Sequence, residues 1–158
     1  MMIENWNKCV KPHDVIWHLG DVFIGNTDKF EKIWSRLNGH KRLIVGNHDD
    51  IRYLSGKSSL TGQWLFEKIE CWKYMDDMLL THVPMQLANT FDRVTFNVHG
   101  HIHNNDSPTI RHYNACVEQN DWSPIAYDDL REFFRKRKLT LSDNEVCHRD
   151  RIPPKEVP

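Results

Sequence analysis

Short apolar runs and amphipathic stretches alternate along this chain. Val15-Ile16-Trp17-His18-Leu19 is almost continuously apolar and ends at Gly20, the pattern of a strand buried on both faces. Arg42-Leu43-Ile44-Val45 repeats it and ends at Gly46. Between the two, Phe30, Ile33, Trp34 and Leu37 recur at helical spacing, with Thr27 or Asp28 as a cap and Gly39 as a stop. Upstream, Ile3, Trp6, Asn7 and Val10 make a short helical face that Pro12 punctuates. Downstream, Met78-Leu79-Leu80-Thr81 and Thr95-Phe96-Asn97-Val98 read as strands, and so does Arg111 to Cys116. Phe66 to Tyr74 is strand-like but ambiguous, and Tyr127 to Lys138 is an amphipathic helix using Leu130, Phe133 and Phe134.

Strand–helix–strand alternation predicts an α/β fold. In open α/β sheets, sites form beyond the carboxyl ends of the strands. Residues 1–141 read as one domain. From about Ser142 the chain is polar and carries Pro153, Pro154 and Pro158, so 142–158 reads as a tail without a core of its own. Ser55 to Gly62, rich in Ser, Gly and Lys, reads as a loop, and with Gln86–Arg93 is expected to shape substrate choice.

Composition narrows the partners. A length of 158 residues and a net charge of −1 fit one domain with no long-range attraction for nucleic acid or an anionic membrane. Nucleic acid therefore enters only as a substrate, and a nucleic-acid-binding module is disfavoured. The dense basic run Arg135-Lys136-Arg137-Lys138 closes a predicted helix, where cations oppose the negative end of the dipole. No apolar stretch is long enough to span a bilayer or to act as a signal peptide. Cys9, Cys71, Cys116 and Cys147 are widely spaced, which fits free thiols in a reducing compartment and predicts the cytoplasm.

The chemistry-bearing residues sit at the predicted strand ends. They are Gly20-Asp21, Gly46-Asn47-His48-Asp49, Thr81-His82 and Gly100-His101-Ile102-His103. Carboxylate, amide and imidazole donors collected this way suit hard or borderline divalent cations. A pair of metals needs a carboxylate that can bridge, since an imidazole has one lone pair to give. Asp21 is the strand-end carboxylate in that position. If Gly100–His103 is extended, His101 and His103 face the same way and Ile102 the other. His13, His40, His112 and His148 belong to no motif and read as ordinary polar residues. His18 and His99 lie beside motif residues and read as packing or supporting groups.

These motifs, in this order, resemble the calcineurin-like metallophosphoesterases from about residue 3 to about residue 130. The resemblance implies two packed sheets flanked by helices. It implies hydrolysis of a phosphomono- or phosphodiester, a small phosphate ester, by a hydroxide that bridges two divalent metals. Mn²⁺ is the first expectation, with Fe, Zn or Ni as alternatives. It assigns Asp21 the bridging role, gives Asn47, His82 and His101 to one metal, and gives His103 to the other. His48 would stay off the metals and stabilise or protonate the leaving oxygen, with Asp49 orienting its ring.

The family pattern opens with a strand ending in D-x-H, which ligates the first metal, and no D-x-H precedes Asp21 here. The expectation is a domain without that strand, read as a start placed at an internal methionine of a longer protein. One metal would then have a full ligand set and the other only Asp21 and His103. The alternative reading is a non-catalytic remnant that binds a single divalent metal.

Overall fold

The computed structural model describes residues 2–87 and 94–138. The predicted tail and most of the Gln86–Arg93 loop lie outside the described residues, as do Cys147 and His148. The fold is α/β, with two sheets and helices. In chain order the elements are α1 (Met2–Cys9), β1 (Val15–His18), α2 (Thr27–Trp34), β2 (His40–Ile44), α3 (Ile51–Leu54), β3 (Lys68–Glu70), β4 (Lys73–Met75), β5 (Met78–Leu80), β6 (Phe96–His99), β7 (His112–Asn114) and α4 (Tyr127–Lys138).

The first sheet is parallel and ordered β1-β2-β3. The second is ordered β4-β5-β6-β7, with an antiparallel β4–β5 pair and parallel pairs beyond it. Among the described residues β1 pairs only with β2.

β2 shows how alternation builds the two cores. Successive side chains on a strand point to opposite faces. Leu43 joins Phe30, Trp34, Leu54, Leu65 and Phe66 on the α2 side. Ile44, next to it, joins Met78, Leu80, Phe96, Val98 and Tyr113 with Leu130 and Phe134 of α4. Both are fully buried, so truncating either to Ala costs about 2–5 kcal/mol. The inter-sheet core is closed by aromatic packing, with Phe96 and Phe134 stacked at 4.2 Å between ring centroids.

The ambiguous Phe66–Tyr74 stretch divides. β3 joins the first sheet and β4 starts the second, with Cys71 and Trp72 crossing between. The α2 cap is Asn26 rather than Thr27 or Asp28, and its side chain accepts from Lys29 N. α1 is tied to the segment after α2. Trp6 Nε1 donates to Asn38 O at 3.0 Å, and Asn7 Oδ1 accepts from Asn38 N at 2.9 Å.

The loop after α3 hangs on one carboxylate. Glu31, on α2 and almost fully buried, accepts from Ser58 Oγ, Ser59 Oγ, Leu60 N and Tyr53 Oη. The hydrogen bond from Ser58 leads the causes that lower its pKa from 4.5 to about 2.

Candidate metal centre

The turn after β1 and the turn after β2 approach so closely that only glycine fits. A Cβ on Gly20, at φ +90°, would stand 2.5 Å from His82 Nδ1 and 2.6 Å from Gly46 Cα. A Cβ on Gly46 would collide with Asp21 Oδ1 and Asp21 N. Asp49 straps the two turns together. Its carboxylate accepts from Gly46 N at 2.7 Å, Val22 N at 2.8 Å and Asp21 N at 3.1 Å. Asp21 is left in the left-handed region at φ +53°, and its Oδ1 accepts from His48 N at 2.9 Å.

His82, from the end of β5, is 6% exposed. Its Nδ1 lies 2.7 Å from the Leu19 carbonyl oxygen. A carbonyl can only accept, so that nitrogen carries a proton, and in the neutral ring Nε2 presents a lone pair. The lone pair faces Asn47 Oδ1 at 2.9 Å, His101 Nδ1 at 3.1 Å and Asp21 Oδ2 at 3.3 Å. With the imidazoles neutral, at least three of these four atoms have no hydrogen to offer. Groups that all accept repel at this spacing unless a cation lies among them. Two ligands each about 2.0–2.2 Å from one ion, roughly at right angles, stand about 3 Å apart. The arrangement therefore suits a divalent ion. Asp21, His82 and His101 form a group able to hold one, with a donor atom from each within 4.8 Å of the others.

The Gly100–His103 segment departs from the expected extended form. It is a turn, with His101 at φ +68°, His103 at φ +50° and Ile102 N donating back to Gly100 O. In a turn the two-residue alternation of a strand no longer holds. His101 meets the cluster, but His103 points elsewhere and pairs with Glu118 at 2.9 Å. The turn is pinned from β7 and the short 3₁₀ helix Val117–Gln119. Asn114 Nδ2 donates to His103 O at 2.8 Å, and Gln119 Nε2 to the same oxygen at 3.3 Å. Cys116 lies against the backbone N–H groups of His103 and Ile102. Burial nonetheless pushes its thiol pKa up.

The remaining predicted site residues are at hand. The His48 side chain is exposed. It lines a cleft of about 250 Å³ with Phe23, Ile24, Gly25, Thr27, Asp50 and Tyr53. Asp49, expected to orient the His48 ring, has both oxygens engaged by backbone N–H groups. His18 packs edge-on against Trp34 and Phe66, and its Nδ1 is buried without a hydrogen-bond partner. Desolvation lowers its pKa, against the pull of Asp49 and Asp21. His99 is fully buried between Gly100 O and Ser107 Oγ. His40 pairs with Glu67, and His112 reaches Met85 O and Thr109. Glu118, the partner of His103, was not anticipated: it stands in a polar stretch with no motif around it.

An α/β pair of sheets with amide, carboxylate and imidazole donors converging beyond the strand ends makes a candidate divalent-metal site. Comparison with known proteins names the family. The calcineurin-like phosphoesterase profile matches residues 2–155, and the chain belongs to that family. It is 27% identical over 154 residues to an uncharacterised protein of Methanocaldococcus jannaschii, covering 92% of this chain and 80% of the relative. It is 43% identical over 51 residues to the Gene 66 protein of Mycobacterium phage D29, covering 30% of this chain and 26% of that protein. Its fold is similar to the crystal structure of a protein of unknown function from Aquifex aeolicus. There the TM-score is 0.62 and the identity 27%, over 83% of this chain and 82% of the other.

Proposed function

We propose that this chain is a metal-dependent phosphoesterase that cleaves a phosphomono- or phosphodiester beside Asp21, Asn47, His82 and His101. The observation that carries the reading is the lone-pair cluster around His82 Nε2, with Asn47 Oδ1, His101 Nδ1 and Asp21 Oδ2 at 2.9–3.3 Å. A divalent ion bound there polarises a phosphoryl oxygen and lowers the pKa of a water. Asp21 holds its second oxygen against His48 N, so the two residues are placed together. The exposed His48 ring, in its cleft, supplies a hydrogen bond or a proton to the leaving oxygen. Mn²⁺ is the metal we favour, and two ions the number. The free Cys9, Cys71 and Cys116 support a reducing location, the cytoplasm. Among the described residues no helix is long and apolar enough to cross a membrane.

A second reading has its own support. His103 is largely exposed and engaged by Glu118, which favours one ion held by the His82 cluster over two. Titrating the protein with Mn²⁺ while following bis(nitrophenyl) phosphate hydrolysis separates the two. Turnover that rises with the second equivalent supports the dinuclear reading, and tight binding of one ion without turnover supports the other. In either case Asp21→Asn should weaken binding. Unchanged metal affinity and rate in that variant would remove Asp21 from the site.

A further inference from the structure

Beside the cluster lies a cleft of about 480 Å³, within the range of small-molecule sites. Asn47 and His82 form the wall it shares with the metal centre, and Val45, Leu79, Val83 and Met85 add apolar lining. Val83 and Met85 are 40% and 39% exposed. Exposed apolar side chains are commonplace singly, but these two share one concavity at the edge of a polar site, which marks a ligand surface. Their backbone is fixed from beneath. Asn97, fully buried on β6, accepts from Met85 N at 2.8 Å. It donates to Leu79 O at 2.7 Å and Thr81 Oγ1 at 2.9 Å. Thr81 Oγ1 donates in turn to Val83 O at 2.6 Å, and His112 Nε2 donates to Met85 O at 2.8 Å. A buried polar network whose members are bonded rigidifies what it holds. These polar groups are engaged within the protein, and the Val83–Met85 segment meets the cleft with methyl and thioether groups already in place.

We infer that the substrate is a phosphodiester with an apolar arm, an alkyl or aryl group without hydroxyls, which stays on phosphorus and lies against Val83 and Met85. The inference rests on the phosphoesterase reading. A phosphate held beside Asn47 and His82 borders this cleft directly. The His48 cleft has a different lining, with Thr27, Asp50 and Tyr53, and takes the leaving arm. Against methyl and thioether groups, the hydroxyls of a sugar or glycerol arm would give up water for no equivalent partner, whereas methylenes gain by leaving water. Water adds its oxygen to phosphorus, the bond to the leaving oxygen breaks, and the proton from water passes to that oxygen or to solvent. The products are the apolar phosphomonoester and the freed alcohol.

The test uses three esters with one leaving group: propyl, methyl and 2,3-dihydroxypropyl p-nitrophenyl phosphate, on the Mn²⁺-loaded protein. The propyl ester should exceed the methyl ester in kcat/KM by roughly 4- to 15-fold, since each fully buried methylene multiplies the constant about fourfold. It should also exceed the dihydroxypropyl ester, which has the same carbon chain and two added hydroxyls. Val83→Thr exchanges a methyl for a hydroxyl at a part-exposed position and should lower the propyl-to-methyl ratio. Met85→Ser should bring the ratio nearer to one, and Met85→Leu should hold it. An unchanged ratio in both Val83→Thr and Met85→Ser overturns the inference. Calorimetric binding of propyl phosphate against methyl phosphate makes the same comparison without turnover. A ratio near one with turnover intact, or a preference for the dihydroxypropyl ester, overturns the apolar subsite and leaves the phosphoesterase reading standing. If no ester is hydrolysed at saturating Mn²⁺, the phosphoesterase reading falls and the binding comparison decides the cleft. Tighter propyl phosphate then supports the apolar subsite, and equal or absent binding overturns it.

Discussion

Asp49→Ala should damage both stability and metal binding. Its carboxylate accepts three backbone N–H groups from two turns, at 2.7, 2.8 and 3.1 Å. A hydrogen bond to a charged group contributes about 1.5–3 kcal/mol, so three would bound the loss at about 4.5–9 kcal/mol. The site is only part-buried, water can reach some of the freed donors, and bonds to one carboxylate do not add independently. About 2–4 kcal/mol is the working expectation, a large share of a domain's total of about 5–15 kcal/mol. Asp49→Asn keeps one acceptor and turns an N–H₂ group towards a backbone N–H, so it should lie between Ala and the native residue. Urea unfolding checks this through the midpoint at constant slope. The same strap holds Asp21 and Asn47 in register, so Mn²⁺ affinity by calorimetry should fall roughly 10- to 100-fold, as for other supports of metal ligands. If Asp49→Ala unfolds within about 0.5 kcal/mol of the native protein and binds Mn²⁺ equally well while losing turnover, the strap is not its task. Its role in orienting His48 would then be the correct one.

Gly20→Ala forces a Cβ to 2.5 Å from His82 Nδ1 at φ +90°. It should cost about 3 kcal/mol or more and lower the thermal midpoint, and a wild-type melting curve would show that the turns are looser than described. Glu31 has its folded pKa depressed from 4.5 to about 2, so its contribution is complete above about pH 4.5 and fades as pH falls towards 2. Glu31→Gln should therefore be less stable near neutrality and converge with the native protein in acid. Parallel melting curves across the range would refute it. His18→Phe removes a buried Nδ1 without a partner and keeps the ring packing against Trp34 and Phe66. Stability should be unchanged or rise by about 1 kcal/mol, and a loss above about 2 kcal/mol in urea unfolding would mean that the ring makes a polar interaction that matters.

The strands were legible where burial dictates composition. Met78–Leu80 and Phe96–His99 were read from apolar runs because each is buried along its length, Val15–His18 was read the same way although it is only partly buried with Val15 exposed, and α4 was read from its stripe. Phe66–Tyr74 was not separable into β3 and β4, since each is only three residues long and periodicity needs more turns of the pattern. α3 is four residues long and owes its existence to the Asp50 cap rather than to an apolar stripe. In the centre, Asp21, Asn47, His82 and His101 were found from motif order and strand ends, and the structure brings them together. His103 was assigned to the other metal by resemblance, and it pairs with Glu118 where His101 and His103 take left-handed backbone. That choice is made by Asn114 and Gln119, more than ten residues away in sequence, and no local signal carries it. Asp49 was noticed for its neighbour, yet its contacts run to a turn 27 and 28 residues away.

The donors around His82 Nε2 come from both halves of the molecule. Asp21 and Asn47 follow strands of one sheet, while His82 and His101 follow strands of the other. An ion seated among them would tie the two sheets together across the seam. By mass action it would then make parting of the sheets rarer in the metal-loaded protein than in the metal-free one. Exchange of the Gly46 and Gly100 amides, one on each side, reads that parting directly.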